Sequence, residues 1–177
     1  MSLSSKLKEH INNVPINLNW CDLQGIKYFA CGGQSVIYTA FYNKVPVIIK
    51  TIKPDVRDID MVVHEIEQEM VILSKLNHPN IVQLYGAGHN LQGYRFLVLE
   101  CLYRGSMDHM ISAHKEKKRN RITYTKIKNK LWTRNSLSYA RAIASALEYC
   151  HSGIDEYIIL HRDLKPDNIG NFFLLTL

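Results

Sequence analysis

The sequence predicts an α+β fold in which a strand-rich first half hands over to a helical second half near residue 100. Three observations carry this expectation. Residues 25–52 are rich in Val, Ile, Tyr and Phe and are broken by turn residues, as half-buried strands are. Residues 58–76 change to a helical period, and residues 136–152 return to it after an intervening pair of apolar runs. With 177 residues, 46% hydrophobic and 21% charged, the chain has the composition of a soluble globular protein and room for one domain or two small lobes.

Residues 1–22 spread Asn, Ser and Pro15 through a stretch expected to be a weakly structured N-terminal extension. The segment "CGGQS" at 31–35 reads as a glycine-rich hairpin turn, and "FYNKVPVIIKTIK" as a second hairpin with Asn43 and Lys44 near its turn. Between Asp58 and Leu76, Ile59, Val62, Val63, Ile66, Met70 and Leu73 fall on one helical face, with Asp58 or Asp60 as the cap and "HPN" at 78–80 as the stop. Two strand-length runs follow, "IVQLYGAG" and "YRFLVLECL", then a turn at "RGS", 104–106. Leu137, Ala140, Ile143, Ala144 and Leu147 mark a second amphipathic helix, opened near Ser136 and closed by Gly153. There is no internal repeat.

Several classes are disfavoured at once. No stretch approaches the ~20 apolar residues of a membrane span, and "MSLSSKLKEHINN" lacks the apolar run of a signal peptide. Cys21, Cys31, Cys101 and Cys150 are scattered and are read as reduced packing residues of a cytoplasmic protein, with the nucleus as the alternative. The net charge of +6 is local: residues 115–134 hold nine Lys or Arg and one Glu, and the rest of the chain holds 13 basic and 15 acidic residues. A solvated loop or helix face is the first reading of that window, ahead of a docking patch for acidic partners, a nuclear-import signal or an RNA contact. Its aromatic residues lack the regular spacing of a base-stacking platform, which argues against nucleic acid. Nothing in the sequence specifies an oligomeric state.

The residues with chemistry begin in the 58–76 helix. Glu69 lies close to the apolar face and Glu67 points the other way, to water. A carboxylate near a buried face needs a cation or donors, because unpaired burial costs several kcal/mol. Lys50 ends the apolar run "VPVIIK" and shares a strand face with Ile48, which makes it the candidate partner, although a lone lysine there commonly snorkels to water. Gly32 sits in a turn where backbone N–H groups could approach phosphate oxygens, and a plain hairpin turn would look the same. The strongest signal is "HRDLKPDN" at 161–168. In phosphoryl transfer to a hydroxyl, Asp163 would accept or orient the proton, Lys165 would hold phosphate charge and Asn168 would ligate Mg²⁺ through its amide oxygen.

Taken in order, "ACGGQSVIYTA", "VIIK", Glu69, "NHPNIVQLYG", "FLVLECLYRGSM" and "HRDLKPDN" resemble the eukaryotic protein kinase family over residues 25–170. The resemblance implies a two-lobe kinase fold: an N-lobe at 23–99 with an antiparallel sheet and one αC helix, then a hinge and a partial helical C-lobe at 100–177. It implies ATP and Mg²⁺ as cofactors and a protein carrying Ser or Thr as substrate, since Lys165 follows Asp163 by two residues as in serine/threonine kinases. The hinge style is similar to the tyrosine-kinase-like group of those enzymes. In this mapping Lys50 pairs with Glu69 and holds the α/β-phosphates, and Gly32, Ser35 and Ile37 belong to the glycine-rich loop. Ile48 lies above adenine, Leu99 is the gatekeeper, and Glu100 and Leu102 meet adenine through hinge backbone groups. Asp163 and Lys165 are catalytic, and Asn168 is the metal ligand.

Departures from the family pattern are also legible. Ala30 and Ser35 stand where the loop's first and third glycines would be, Ile48 replaces a usual Ala, and Gly170 stands where an apolar residue beneath adenine is common. No D-F-G, activation segment or A-P-E follows Asn168. The expectation is a truncated form with little or no phosphotransfer and an incomplete Mg²⁺ site. The alternative is a pseudokinase-like nucleotide-binding or regulatory module.

Overall fold

The computed structural model describes residues 14–101, 105–119, 126–154 and 157–170, with backbone alone over 114–119 and 126–135. They fall into two units: the chain up to Leu76 with Gln83–Cys101, and Asn77–Val82 with the chain from Leu102 onward.

The first unit is a six-stranded sheet in the order β1-β5-β6-β4-β3-β2 with one helix, an α+β arrangement. Its strands are β1 (Leu18–Asn19), β2 (Gln24–Cys31), β3 (Ser35–Tyr42), β4 (Val45–Ile52), β5 (Leu84–His89) and β6 (Arg95–Glu100). Asn43 and Lys44 both take positive φ, 49° and 65°, between the register pair Tyr42 and Val45. Two left-handed residues match the twist of the flanking strands, which is why so short a turn closes this hairpin. Along β4, Val47, Ile49 and Thr51 are buried while Ile48 and Lys50 are half-buried, as alternation requires. Val47 and Ile49 join Leu23, Ala40, Phe96 and Val98 in a core on one sheet face.

That face is covered by a segment expected to be weakly structured. Pro15 C=O accepts from Ala87 N–H at 2.9 Å, and β1 pairs in parallel with β5, Leu18 opposite Gly88. Trp20, in a 3₁₀ turn capped by Asn19, sets its ring edge-on to Phe96 at 5.1 Å and to Tyr38 at 6.5 Å. The sheet is therefore antiparallel except at this edge. Local composition misled here: Asn and Pro set the reading, whereas an unpaired β5 edge and an apolar face recruit Leu18 and Trp20. Residues 1–13 lie outside the described residues.

Helix α1 runs Ile59–Lys75, with the Asp58 carboxylate accepting from Met61 N–H at 3.1 Å. Val62, Ile66, Met70 and Leu73 form its buried stripe. It ends before "HPN": Leu76 is extended and donates its N–H to Leu73 C=O at 3.2 Å.

In the second unit, α2 (Met107–Arg119) was not anticipated, and α3 (Lys126–His151) starts inside the basic window rather than near Ser136. Lys and Arg are good helix formers, so a charge-rich stretch without apolar periodicity still carries helical backbone. The buried stripe of α3 is Tyr139, Ala142, Ala146 and Cys150. The expected face is turned away: Leu137 is 60% exposed, Ala140 and Ala144 are exposed, and Ile143 and Leu147 are half-buried. Tyr149 stacks on His78 at 5.1 Å and accepts from Asn77 N–H at 3.1 Å, while Ser145 Oγ lies 3.2 Å from His78 Nε2. Among the described residues no helix is long and apolar enough to cross a membrane.

Candidate functional site

The candidate residues form two clusters, one in each unit. In the first, strand register does the gathering. Ile37 opposes Lys50 across β3 and β4, and Ile48 opposes Leu99 across β4 and β6. Directly opposed residues share a face, so Ile37, Ile48, Lys50 and Leu99 lie together, opposite the Phe96 core. Onto this face α1 brings Glu69. Lys50 Nζ donates to both carboxylate oxygens, at 2.7 and 2.5 Å. The two side chains are only 26% and 16% exposed. A bidentate contact of opposite charges offsets the desolvation that burial imposes on each.

At the tip of β2 and β3, Gly32 N–H donates to Ser35 C=O at 2.8 Å, so in this conformation that N–H closes the turn. A Cβ built on Gly33 would meet nothing within 4 Å, which leaves the loop's outer surface open to close approach. At the far end of β6, Glu100 N–H donates to Gln83 C=O at 2.9 Å, and the Glu100 carboxylate accepts from Gln83 N–H at 3.3 Å. Burial, and then the Glu100 charge, push the Cys101 thiol up from its ordinary value. Leu102 lies outside the described residues.

In the second unit the loop at 161–170 is anchored at its end. Gly170 bridges to Ser106, and Met107 N–H donates to Ile169 C=O at 2.7 Å, with Ile169 buried. Pro166–Asn168 make a 3₁₀ turn, for which the fixed φ of Pro166 is suited. Asn168 Nδ2 then reaches back to Asp163, donating to its backbone oxygen at 2.9 Å and its Oδ2 at 3.0 Å. Lys165 Nζ lies 2.7 Å from the same Oδ2. Arg162, at φ 60°, takes a left-handed conformation that costs a non-glycine residue about 1 kcal/mol, and the turn it makes aims Asp163 at both partners.

The hydrogen bond from Lys165 holds the Asp163 carboxyl below its ordinary value; desolvation opposes it, and the Asn168 hydrogen bond and the nearby Lys165 and His161 charges add to the lowering. Lys165 is raised by the same partner. Asp163 is therefore an ionised, outward-facing carboxylate flanked by an ammonium and an amide, able to orient a hydroxyl and accept its proton. Among the described residues no group of three or more His, Cys, Asp or Glu is placed to hold a metal ion.

Glu67, expected to face water, is 45% exposed and also has a partner. Its Oε1 lies 3.4 Å from Arg95 Nη2, with Arg95 only 15% exposed. Helical phase alone showed Glu67 off the apolar face. The signal for that partner is Arg95 itself, a charged residue opening an otherwise apolar strand.

Comparison with known proteins matches this sequence to a family. A sequence model of the family described as "Protein kinase domain" matches residues 29–170. The serine/threonine-protein kinase VIK of Arabidopsis thaliana is 31% identical over 138 residues, 78% of this chain and 28% of VIK. The probable serine/threonine-protein kinase gdt4 of Dictyostelium discoideum is 31% identical over 144 residues, 81% of this chain and 7% of that protein. Aurora kinase B of Xenopus tropicalis is 28% identical over 127 residues, 72% of this chain and 30% of the kinase. The chain thus spans less than a third of each of these relatives. With the model covering most of the sequence, from the glycine-rich turn through the Asp163 loop, the chain belongs to the protein kinase domain family.

Proposed function

We propose that this chain is the nucleotide-binding and catalytic-loop portion of an ATP-dependent serine/threonine protein kinase, with Mg²⁺ as metal and a protein hydroxyl as acceptor. The observation that carries the reading is the bidentate Lys50–Glu69 pair, set on the same sheet face as Ile37, Ile48 and Leu99. Glu69 holds the ammonium of Lys50 in place, so Lys50 offers a fixed positive charge to the α/β-phosphates. Ile37, Ile48 and Leu99 supply an apolar surface of the kind a purine needs, and the Glu100 carbonyl is the acceptor for its amino group. Asp163 orients the acceptor hydroxyl and takes its proton, while Lys165 balances charge on the transferred phosphoryl group. The preference for Ser and Thr rests on Lys165 and on the similarity to VIK and gdt4.

The donor set fits Mg²⁺ in part. The Asn168 amide nitrogen is committed to Asp163, which fixes the amide plane, and an amide oxygen is a ligand type Mg²⁺ accepts. Bound Mg²⁺ would neutralise phosphate charge. Phosphate oxygens and water are the ligands such an ion commonly takes beside a protein amide oxygen. The chain is expected to bind nucleotide, and a binding or regulatory module is the second reading.

Titration with a fluorescent ATP analogue tests both parts. Wild type is expected to bind, and Lys50→Met to lose at least tenfold in affinity, in line with loss of a charge-assisted phosphate contact of about 1.5–3 kcal/mol. Equal binding by both would overturn the reading. Phosphate incorporation into a protein substrate, lost in Asp163→Ala, would favour the kinase reading over the binding module.

A further inference from the structure

The pair formed by Glu67 and Arg95 lies beside the Lys50–Glu69 pair but is separate from it. Arg95 opens β6 two residues before Leu97, the register partner of Lys50, so Arg95 and Lys50 project from the same sheet face. Both cations meet carboxylates of α1, Lys50 with Glu69 and Arg95 with Glu67. At 100° per residue the two glutamates are about 160° apart across the face that meets the sheet. The buried stripe of Val62, Ile66, Met70 and Leu73 runs between them. By the same phase, Glu69 stands about 55° to one side of the stripe's centre and Glu67 about 105° to the other.

Arg95 is itself held down. Thr51, 3% exposed, donates its hydroxyl to Arg95 C=O at 2.9 Å. Arg95 Nε is buried with no partner among the described residues, so the guanidinium has one end sunk and the other directed to Glu67. An arginine desolvated to this degree is drawn to a carboxylate more strongly than a surface pair would be.

A helix held only along one stripe can roll about its own axis, since apolar contacts have no direction. Charge pairs on both flanks oppose that roll: a turn one way lifts Glu69 from Lys50, and a turn the other way lifts Glu67 from Arg95. We infer that Arg95 and Glu67 form the second point of a clamp that fixes the rotation of α1 and so positions Glu69 against Lys50. Both are positioning residues, acting on nucleotide through Lys50. This rests on the reading of Lys50 as the phosphate-holding lysine.

The test reads Lys50 directly and without nucleotide. The acylation rate of each lysine by an amine-reactive acetylating reagent is followed by peptide mass spectrometry on the full chain. Glu67→Gln and Arg95→Met are each expected to raise the Lys50 rate about threefold, a change on the scale of one partly exposed ion pair. The exchange Glu67→Arg with Arg95→Glu is expected to bring the rate back toward wild type, and Arg95→Lys to fall between. A merely structural role would instead raise the rates of lysines throughout the first unit together, and the exchange would not restore them. An unchanged Lys50 rate in both single variants, or an exchange variant as fast as the singles, overturns the clamp. Titration with the fluorescent ATP analogue separates the two ideas. Acylation that follows the pattern without nucleotide binding refutes the kinase reading and leaves the clamp. Binding that depends on Lys50 with no change in acylation refutes the clamp.

Discussion

Two glycines of β5, Gly86 and Gly88, bear against the same N-terminal segment in different ways, and substituting them separates backbone from side-chain obstruction. A Cβ on Gly88 would collide with the Leu18 backbone oxygen and come within 2.8 and 2.9 Å of Phe96 Cζ and Cε1. A Cβ on Gly86 would collide with the Leu18 side chain, 2.9 Å from its Cγ, and lie 2.9 Å from Pro15 C=O. Overpacking of this kind costs about 1–3 kcal/mol. If the segment yields instead, the Pro15–Ala87 bond and the β1 pairing go with it, at roughly 1 kcal/mol per hydrogen bond. Gly88→Ala and Gly86→Ala are therefore each expected to cost about 2–3 kcal/mol, measured by urea unfolding of the full chain. Leu18→Ala, half-buried, is expected to cost about 1–2 kcal/mol alone. Combined with Gly86→Ala it should cost at least about 1 kcal/mol less than the sum, because the obstructing side chain is gone. Combined with Gly88→Ala it should show no such relief, because the obstacle there is the chain itself. Additive behaviour in both pairs, or a Gly88→Ala cost under about 0.5 kcal/mol, would refute the packing described.

The remaining expectations concern separate parts of the molecule. Tyr149→Phe keeps the stack on His78 but removes the acceptor for Asn77 N–H, so it should cost about 1 kcal/mol by urea unfolding, and His78→Ala about twice that; equal costs would contradict the arrangement. Lys44→Gly relieves a left-handed residue at φ 65° and should stabilise by about 0.5 kcal/mol after the added chain entropy of glycine, with destabilisation counting against the turn. Asp163, held below 3.8 by Lys165 and Asn168, should titrate by carboxyl NMR below that value and move up toward it in Lys165→Met. For a carboxyl depressed in the fold, the linked stability is present above pH 3.8 and is lost as pH falls through the lower folded value. A carboxyl that titrates identically in both proteins would show that the pair is not formed in solution.

Elements with strong local signals were legible before any coordinates. The Asn43–Lys44 hairpin, the α1 stripe with its Asp58 cap, and the two strands after it follow from alternation, period and turn chemistry. The Lys50–Glu69 contact was reachable because each residue was individually awkward, a charge at the margin of an apolar element. The features that were missed share a cause, which is that a distant partner decided the outcome. Trp20 and Leu18 are ordered by strands far along the chain, α3 buries Tyr139, Ala142, Ala146 and Cys150 rather than its aliphatic residues, and Glu67 finds Arg95 from a strand 28 residues later. Within a short window these residues look like a loop, a different stripe and a solvated acid. Helix α2 escaped for another reason: its basic composition supports helix without advertising a face.

The parallel pairing of Leu18 with Gly88 also bears on the order in which the first unit assembles. Closing the two-residue turn of β3 and β4 restricts little chain, whereas joining β1 to β5 restricts everything between residues 18 and 88 and returns only a two-residue ladder. The hairpin is thus expected early and the N-terminal edge late. Changes at Gly88 should then speed unfolding and leave the refolding rate almost untouched, whereas changes at Lys44 should act on refolding. The edge strand sets how long the folded unit lasts, and the hairpin how soon it forms.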